Sequence, residues 1–284
     1  MSNAERPSKN ARREHAREVA KKRQEEERKR RLRNRIFLQG GIGLAIAAIV
    51  VVIILVVQAS NSGSTTRVSS DAGPKNMVTD GIQFQGVDGK VEPVATAGVK
   101  ASATPSPVAT SNADGAAKVV TYIDWACPVC KQFEASYSKD ILSRVAAGKA
   151  TLEIHPVSIL DRNYQNSRYA SRAANAAACV ANYDPDNFLS VQTEFYDNQP
   201  AEGSNGLSDT QIKKLVRDGG VTDASVSSCI DDEEFGSWVT AETNRVLADK
   251  SLVNPAQGGF GTPTVFVNGT LWSGSTDLLA EIDK

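Results

Sequence analysis

The chain has 284 residues, 40% of them hydrophobic and 23% charged, with four cysteines and two histidines. That length holds one large domain or two small ones. The net charge of -1 is an average over two unlike parts: residues 1–35 carry 14 Lys or Arg against 6 Asp or Glu, and the remainder is acidic, so a uniformly basic nucleic-acid binder is excluded.

In chain order, residues 1–35 are rich in Arg, Lys, Glu and Ala, with good helix propensity but no apolar stripe. Ile36 to Val57 follows without a single charge. A run of that length spans a bilayer. The basic flank predicts residues 1–35 in the cytoplasm and everything after Gln58 outside, and it gives the tail a topological role without a nucleic-acid partner. A cleaved signal peptide is the rival, because Val57-Gln58-Ala59 resembles a small-residue cleavage site; the apolar run is longer than a signal core needs. Residues 58–79 form a Ser-, Gly- and Thr-rich spacer. The domain is predicted to begin near residue 80, with a hairpin formed by 81–86 and 90–94 around Asp88-Gly89. Residues 101–116, rich in Ala, Ser, Thr and Pro, are predicted to form a loop.

Lys118–Asp124 is the first strong strand. It leads into Cys127-Pro128-Val129-Cys130, and Phe133, Tyr137, Ile141, Leu142 and Val145 then recur at helical spacing. Strand, Cys-x-x-Cys, helix is the layout of a redox-active dithiol. Cys127 falls at the N-cap and Pro128 at the first helical position, where a missing N–H costs nothing. Unpaired amides and the positive end of the helix dipole then favour a Cys127 thiolate, with Cys130 one turn deeper. Zinc usually takes four ligands, and only His15, in the charged tail, and His155 could add to the pair, since Cys179 and Cys229 lie too far apart to form a second close-spaced one.

Thr151–Val157 is predicted as a strand parallel to the first. A helical stretch follows, with helices expected over 167–183, 186–198, 208–219 and 235–249. The third opens on the capping-box pattern Ser208-x-x-Gln211. Pro263–Trp272 resumes the sheet as a hairpin around Asn268-Gly269, and Leu278–Ile282 closes the chain as a short helix.

Two motifs on either side of a helical insertion, Tyr122-x-Asp124-x-x-Cys127-Pro128-x-Cys130 and Gly261-Thr262-Pro263-Thr264-Val265-Phe266-Val267-Asn268-Gly269, give the chain its likeness. From about Gly81 onward it resembles DsbA-like thiol–disulfide oxidoreductases, of the membrane-tethered type of Gram-positive bacteria. The resemblance implies an α/β, thioredoxin-like fold over residues 80–284, interrupted by a helical subdomain at about 163–250 and preceded by the transmembrane helix at 36–57. It implies catalysis by Cys127 and Cys130 without a cofactor. It also implies a cis Thr262–Pro263 peptide beside Cys127, where an extended substrate could pair with the backbone. Trp125, Pro128 and Val129 are expected to meet substrate, with Trp125 shielding one side of the site; packing of Trp125 in the core is the alternative.

Two departures from the family pattern stand out. Val129 replaces the His of strongly oxidising members and offers no charge or hydrogen bond to Cys127. Thr121 stands where relatives often bury an acid, and Asp124, at the strand end, is expected to be exposed. Cys179 and Cys229 are predicted to form a structural disulfide, from their even number and the predicted export; a second redox pair is the alternative. The implied function is the introduction of disulfides into unfolded exported proteins at the cell membrane. A reoxidant resembling vitamin K epoxide reductase is implied by the family alone. A reductase or isomerase of the same fold, and an anchored metal-binding chaperone, are the alternatives.

Overall fold

The computed structural model describes residues 72–113, 115–255 and 258–284. The predicted tail and transmembrane helix lie outside them. Among the described residues no helix is long and apolar enough to cross a membrane.

The hairpin strands are β1 (Ile82–Val87) and β2 (Lys90–Pro93); β3 (Ala117–Ile123), β4 (Ala150–Pro156), β5 (Thr264–Val267) and β6 (Thr270–Leu271) complete one sheet in the order β2-β1-β4-β3-β5-β6. Only β3 and β4 are parallel, joined by the helix α1 (Pro128–Ala146); the other neighbours pair antiparallel. A parallel pair needs such a crossover, and this one follows from the strand–helix–strand pattern. Every residue of β3 is buried. Its Val119 and Ile123 join the main core, whereas Val120 and Tyr122 join a second cluster with Val157, Val246, Leu252 and Phe260. A strand covered on both faces reads as a continuous apolar run, as Val119-Val120-Thr121-Tyr122-Ile123 does. Both hairpins turn where predicted: Asp88 and Gly89 have φ of 49° and 77°, and Asn268 and Gly269 have 49° and 73°. Two successive positive φ angles suit the right-handed twist of the strands.

The insertion contributes α2 (Tyr169–Tyr183), α3 (Phe188–Asp197), α4 (Asp209–Asp218), α5 (Ala224–Asp231) and α6 (Gly236–Ala248); α7 (Leu278–Ile282) ends the chain. The predicted helix bounds hold within a few residues, but α5 was not anticipated. It is eight residues long and mostly small and polar, and its three buried residues, Val226, Cys229 and Ile230, give little period to detect. Helix α2 is the hub of the insertion. Its alanines are buried almost all round, which lets neighbouring helices approach closely. Cys179 of α2 and Cys229 of α5 are disulfide-bonded, with Cα atoms 5.8 Å apart. At the start of α4 both halves of the capping box form: Ser208 Oγ accepts from the Gln211 N–H, and the Gln211 side chain accepts from the Ser208 N–H.

The back of the sheet holds a charged group that the sequence reading did not pick out. Lys118 and Glu153 form an ion pair at 2.5 Å with both side chains almost wholly enclosed. Glu153 also meets His155 Nε2 at 3.0 Å and accepts from Thr79 Oγ1 at 2.6 Å. Burial alone would raise the Glu153 pKa, but His155, Lys118 and Thr79 together hold it down at about 2.

Candidate active site

Strand β3 ends at Ile123, and the chain turns through Asp124-Trp125-Ala126 before α1 begins at Pro128. The Cys127 N–H donates to the Asp124 carbonyl at 2.9 Å, which closes the turn. Cys127 is the N-cap residue, extended at φ -87° and ψ 117°, with Pro128 in the first turn as predicted. Sheet register supplies the facing wall. Antiparallel β3 and β5 pair Tyr122 with Thr264, so the residues just before Thr264 run alongside the turn that follows Tyr122. The Thr262–Pro263 peptide there is cis. The Cys127 thiol donates to the Thr262 carbonyl at 3.3 Å.

The two thiols are free and inequivalent. The Cys130 thiol donating to Cys127 sulfur is the largest influence favouring the Cys127 thiolate. Burial works against it, and the Thr262 side chain and the N–H groups of Cys130 and Val129 add to it, bringing the Cys127 pKa down to about 7. Cys130 moves the other way. It is only 1% exposed, and burial followed by its bond to Cys127 pushes its pKa well above the ordinary thiol value. The arrangement can therefore offer one sulfur as a thiolate near neutral pH and keep the second as a thiol within reach.

Pro128 is exposed and Val129 is 45% exposed, so both line the rim beside Cys127, which itself shows 5% of its surface. Two expectations are corrected. Trp125 is 1% exposed and packs edge-on against Phe188 and Phe195 of α3, so it is a core residue with no face for substrate. Asp124 is fully buried rather than exposed. Its carboxylate accepts the Ala126 N–H at 2.8 Å and the Ile159 and Leu160 N–H groups at 2.9 and 3.1 Å, tying the cysteine turn to the loop after β4. Burial raises its pKa well above the usual carboxylate range, and the Ala126 and Ile159 amides oppose that rise. Thr121, where relatives often carry an acid, is buried and donates to the Glu153 carbonyl at 3.4 Å.

Sequence reasoning also missed two residues of the insertion. Gln199 Nε2 lies 2.7 Å from the Trp125 carbonyl and 3.0 Å from that of Cys127. Tyr164 Oη donates to the Ala126 carbonyl at 2.8 Å. Both lie far from the motif in sequence, and nothing in their local pattern marks them.

A family model described as thioredoxin matches residues 104–282. Among curated proteins, the serine/threonine-protein kinase PknE of Mycobacterium tuberculosis is 30% identical over 156 residues; the match takes in 52% of this chain, which spans only 25% of that kinase's length. Among solved structures, the reduced disulfide bond oxidoreductase DsbG of M. tuberculosis matches at 31% identity and a TM-score of 0.50, over 60% of this chain and 78% of that one. Oxidised DsbA of M. tuberculosis matches at 26% identity and a TM-score of 0.53, over 71% of this chain and 90% of that one. The family match covers more than half of the chain and takes in both the cysteine turn and the Thr262–Pro263 wall: the chain belongs to the thioredoxin family, and within it resembles the DsbA-type oxidoreductases.

Proposed function

We propose that the chain is a thiol–disulfide oxidoreductase that works outside the cytoplasm and introduces disulfide bonds into exported proteins through Cys127 and Cys130. The observation that carries the exchange chemistry is the placing of two free thiols on one helical turn, Cys127 at the N-cap against Thr262 and Cys130 more deeply enclosed. In the oxidised enzyme the two sulfurs are bonded. A client thiolate attacks Cys127, the less enclosed of the two sulfurs; the Cys127–Cys130 bond breaks, a client–Cys127 disulfide forms, and Cys130 leaves and takes up a proton. A second client thiolate then attacks its partner sulfur. The client disulfide forms and Cys127 departs as the thiolate its surroundings favour. Pro128 and Val129, on the rim, and the backbone at Thr262–Pro263 would receive the client chain. The uncharged, basic-flanked run at 36–57 supports a single membrane anchor with this domain on the outer side. Reoxidation would fall to a membrane partner, for which a protein resembling vitamin K epoxide reductase is our proposal from the family likeness.

The reverse direction, a reductase or isomerase, has one observation in its favour. A Cys127 pKa of about 7 is close to the ~7 of thioredoxin and above the ~3.5 of strongly oxidising DsbA, and Val129 adds no charge to lower it. The reduction potential separates the two: about -120 mV supports the oxidase and about -270 mV the reductase. Alongside it, the oxidised chain should restore activity to reduced, unfolded ribonuclease, and Cys127→Ser should abolish that restoration. No recovery of ribonuclease activity by the oxidised chain overturns the oxidase reading.

A further inference from the structure

The cysteine turn is held from outside its own sheet. Three successive carbonyls, those of Trp125, Ala126 and Cys127, each accept a hydrogen bond from a side chain of the insertion. Gln199 serves the first and third. Both partners are carbonyl oxygens, so the amide must present its NH2 end, whose two hydrogens are then both used. Tyr164 serves the second, and its hydroxyl also lies 3.2 Å from the carbonyl of Pro200, the residue after Gln199. On the amide side, Asp124 takes the Ala126 N–H with its carboxylate and the Cys127 N–H with its carbonyl. The peptide planes of the turn are thus fixed from both sides. A fixed carbonyl at Cys127, which also accepts the Lys131 N–H at 3.2 Å as the first bond of α1, holds Cys127 at the helix start with its sulfur against Thr262.

We propose that Gln199, supported by Tyr164, is a positioning residue for the Cys127 thiolate: it holds the carbonyls of the turn so that the sulfur stays at the start of α1, where the end of the helix favours its charge. The insertion then does more than cover the sheet. It sets how reactive Cys127 is, and a movement of the segment 199–200 against the turn would weaken the thiolate without touching either sulfur. This rests on the reading of Cys127 as the attacking and leaving sulfur.

The test is the pH dependence of Cys127 alkylation in the reduced, full-length chain, compared among wild type, Gln199→Met and Tyr164→Phe, with thermal unfolding measured beside it. Methionine keeps the length and neutrality of Gln199 and removes the donors. The alkylation midpoint of Gln199→Met should rise by on the order of half a pH unit, about a threefold fall in rate below the midpoint. Tyr164→Phe, which loses one hydroxyl, should shift it by less in the same direction, and decides the matter if Gln199→Met does not fold. Folded variants with an unmoved midpoint overturn the proposal, whatever their unfolding temperature, because a purely structural role would alter only the latter. A wild-type midpoint no lower than that of free cysteine would instead overturn the functional reading.

Discussion

At the scale of single residues, the chemistry comes from giving two cysteines of one helical turn unlike surroundings. Cys127 caps the helix and faces Thr262, whereas Cys130 is enclosed. Cys130→Ala should therefore accumulate mixed disulfides through Cys127, visible as gel-shifted species released by reductant, and Cys127→Ala should accumulate none; equal trapping by both variants would contradict the asymmetry. The pair and its order of exposure were legible because spacing and helix-end physics are local; the facing Thr262–Pro263, 135 residues away, came only from the family resemblance. Trp125 and Asp124 were misread for one reason. At a strand end the sequence shows polarity but not what covers it, and here α3 closes over Trp125 while the loop after β4 brings two amides to Asp124. Trp125→Ala should consequently act on stability, by about 3–5 kcal/mol in denaturant unfolding, as for an aromatic removed from a core.

At the scale of elements, the sheet was the most legible part. Period-two runs, the two Asx-Gly turns and the β3–α1–β4 crossover fix its strands. The buried charges behind it were not legible, because Lys118, Glu153 and His155 alternate with apolar residues just as the outer face of a half-exposed strand would. Their partners come from β1, its preceding loop and the neighbouring strand. Lys118→Met leaves Glu153 enclosed without its cation and should cost about 3–5 kcal/mol in denaturant unfolding. The same carboxylate predicts an acid-side loss of stability. Its folded pKa, about 2, lies below the unfolded value of ~4.3, so its contribution is complete above ~4.3 and is lost as pH falls toward 2. Denaturant midpoints between pH 5 and 2 should fall for wild type and fall less for a Glu153→Gln, Lys118→Met double variant; parallel slopes would assign the acid sensitivity elsewhere.

At the scale of the molecule, the insertion is joined to itself by a disulfide and to the catalytic turn by hydrogen bonds. The Cys179–Cys229 bridge closes a loop of 50 residues, worth roughly 4 kcal/mol in the chain-entropy picture. Replacing both cysteines by Ser should lower unfolding free energy by about that much while leaving Cys127 reactive; loss of thiol exchange in a folded variant would instead give the second pair a redox part. All of this serves one sulfur, and its proton is the most direct thing to measure. The ultraviolet thiolate absorbance of the reduced chain, with Cys127→Ser as the blank, should titrate with a midpoint near 7. A midpoint at or above the ~8.5 of free cysteine would contradict the account.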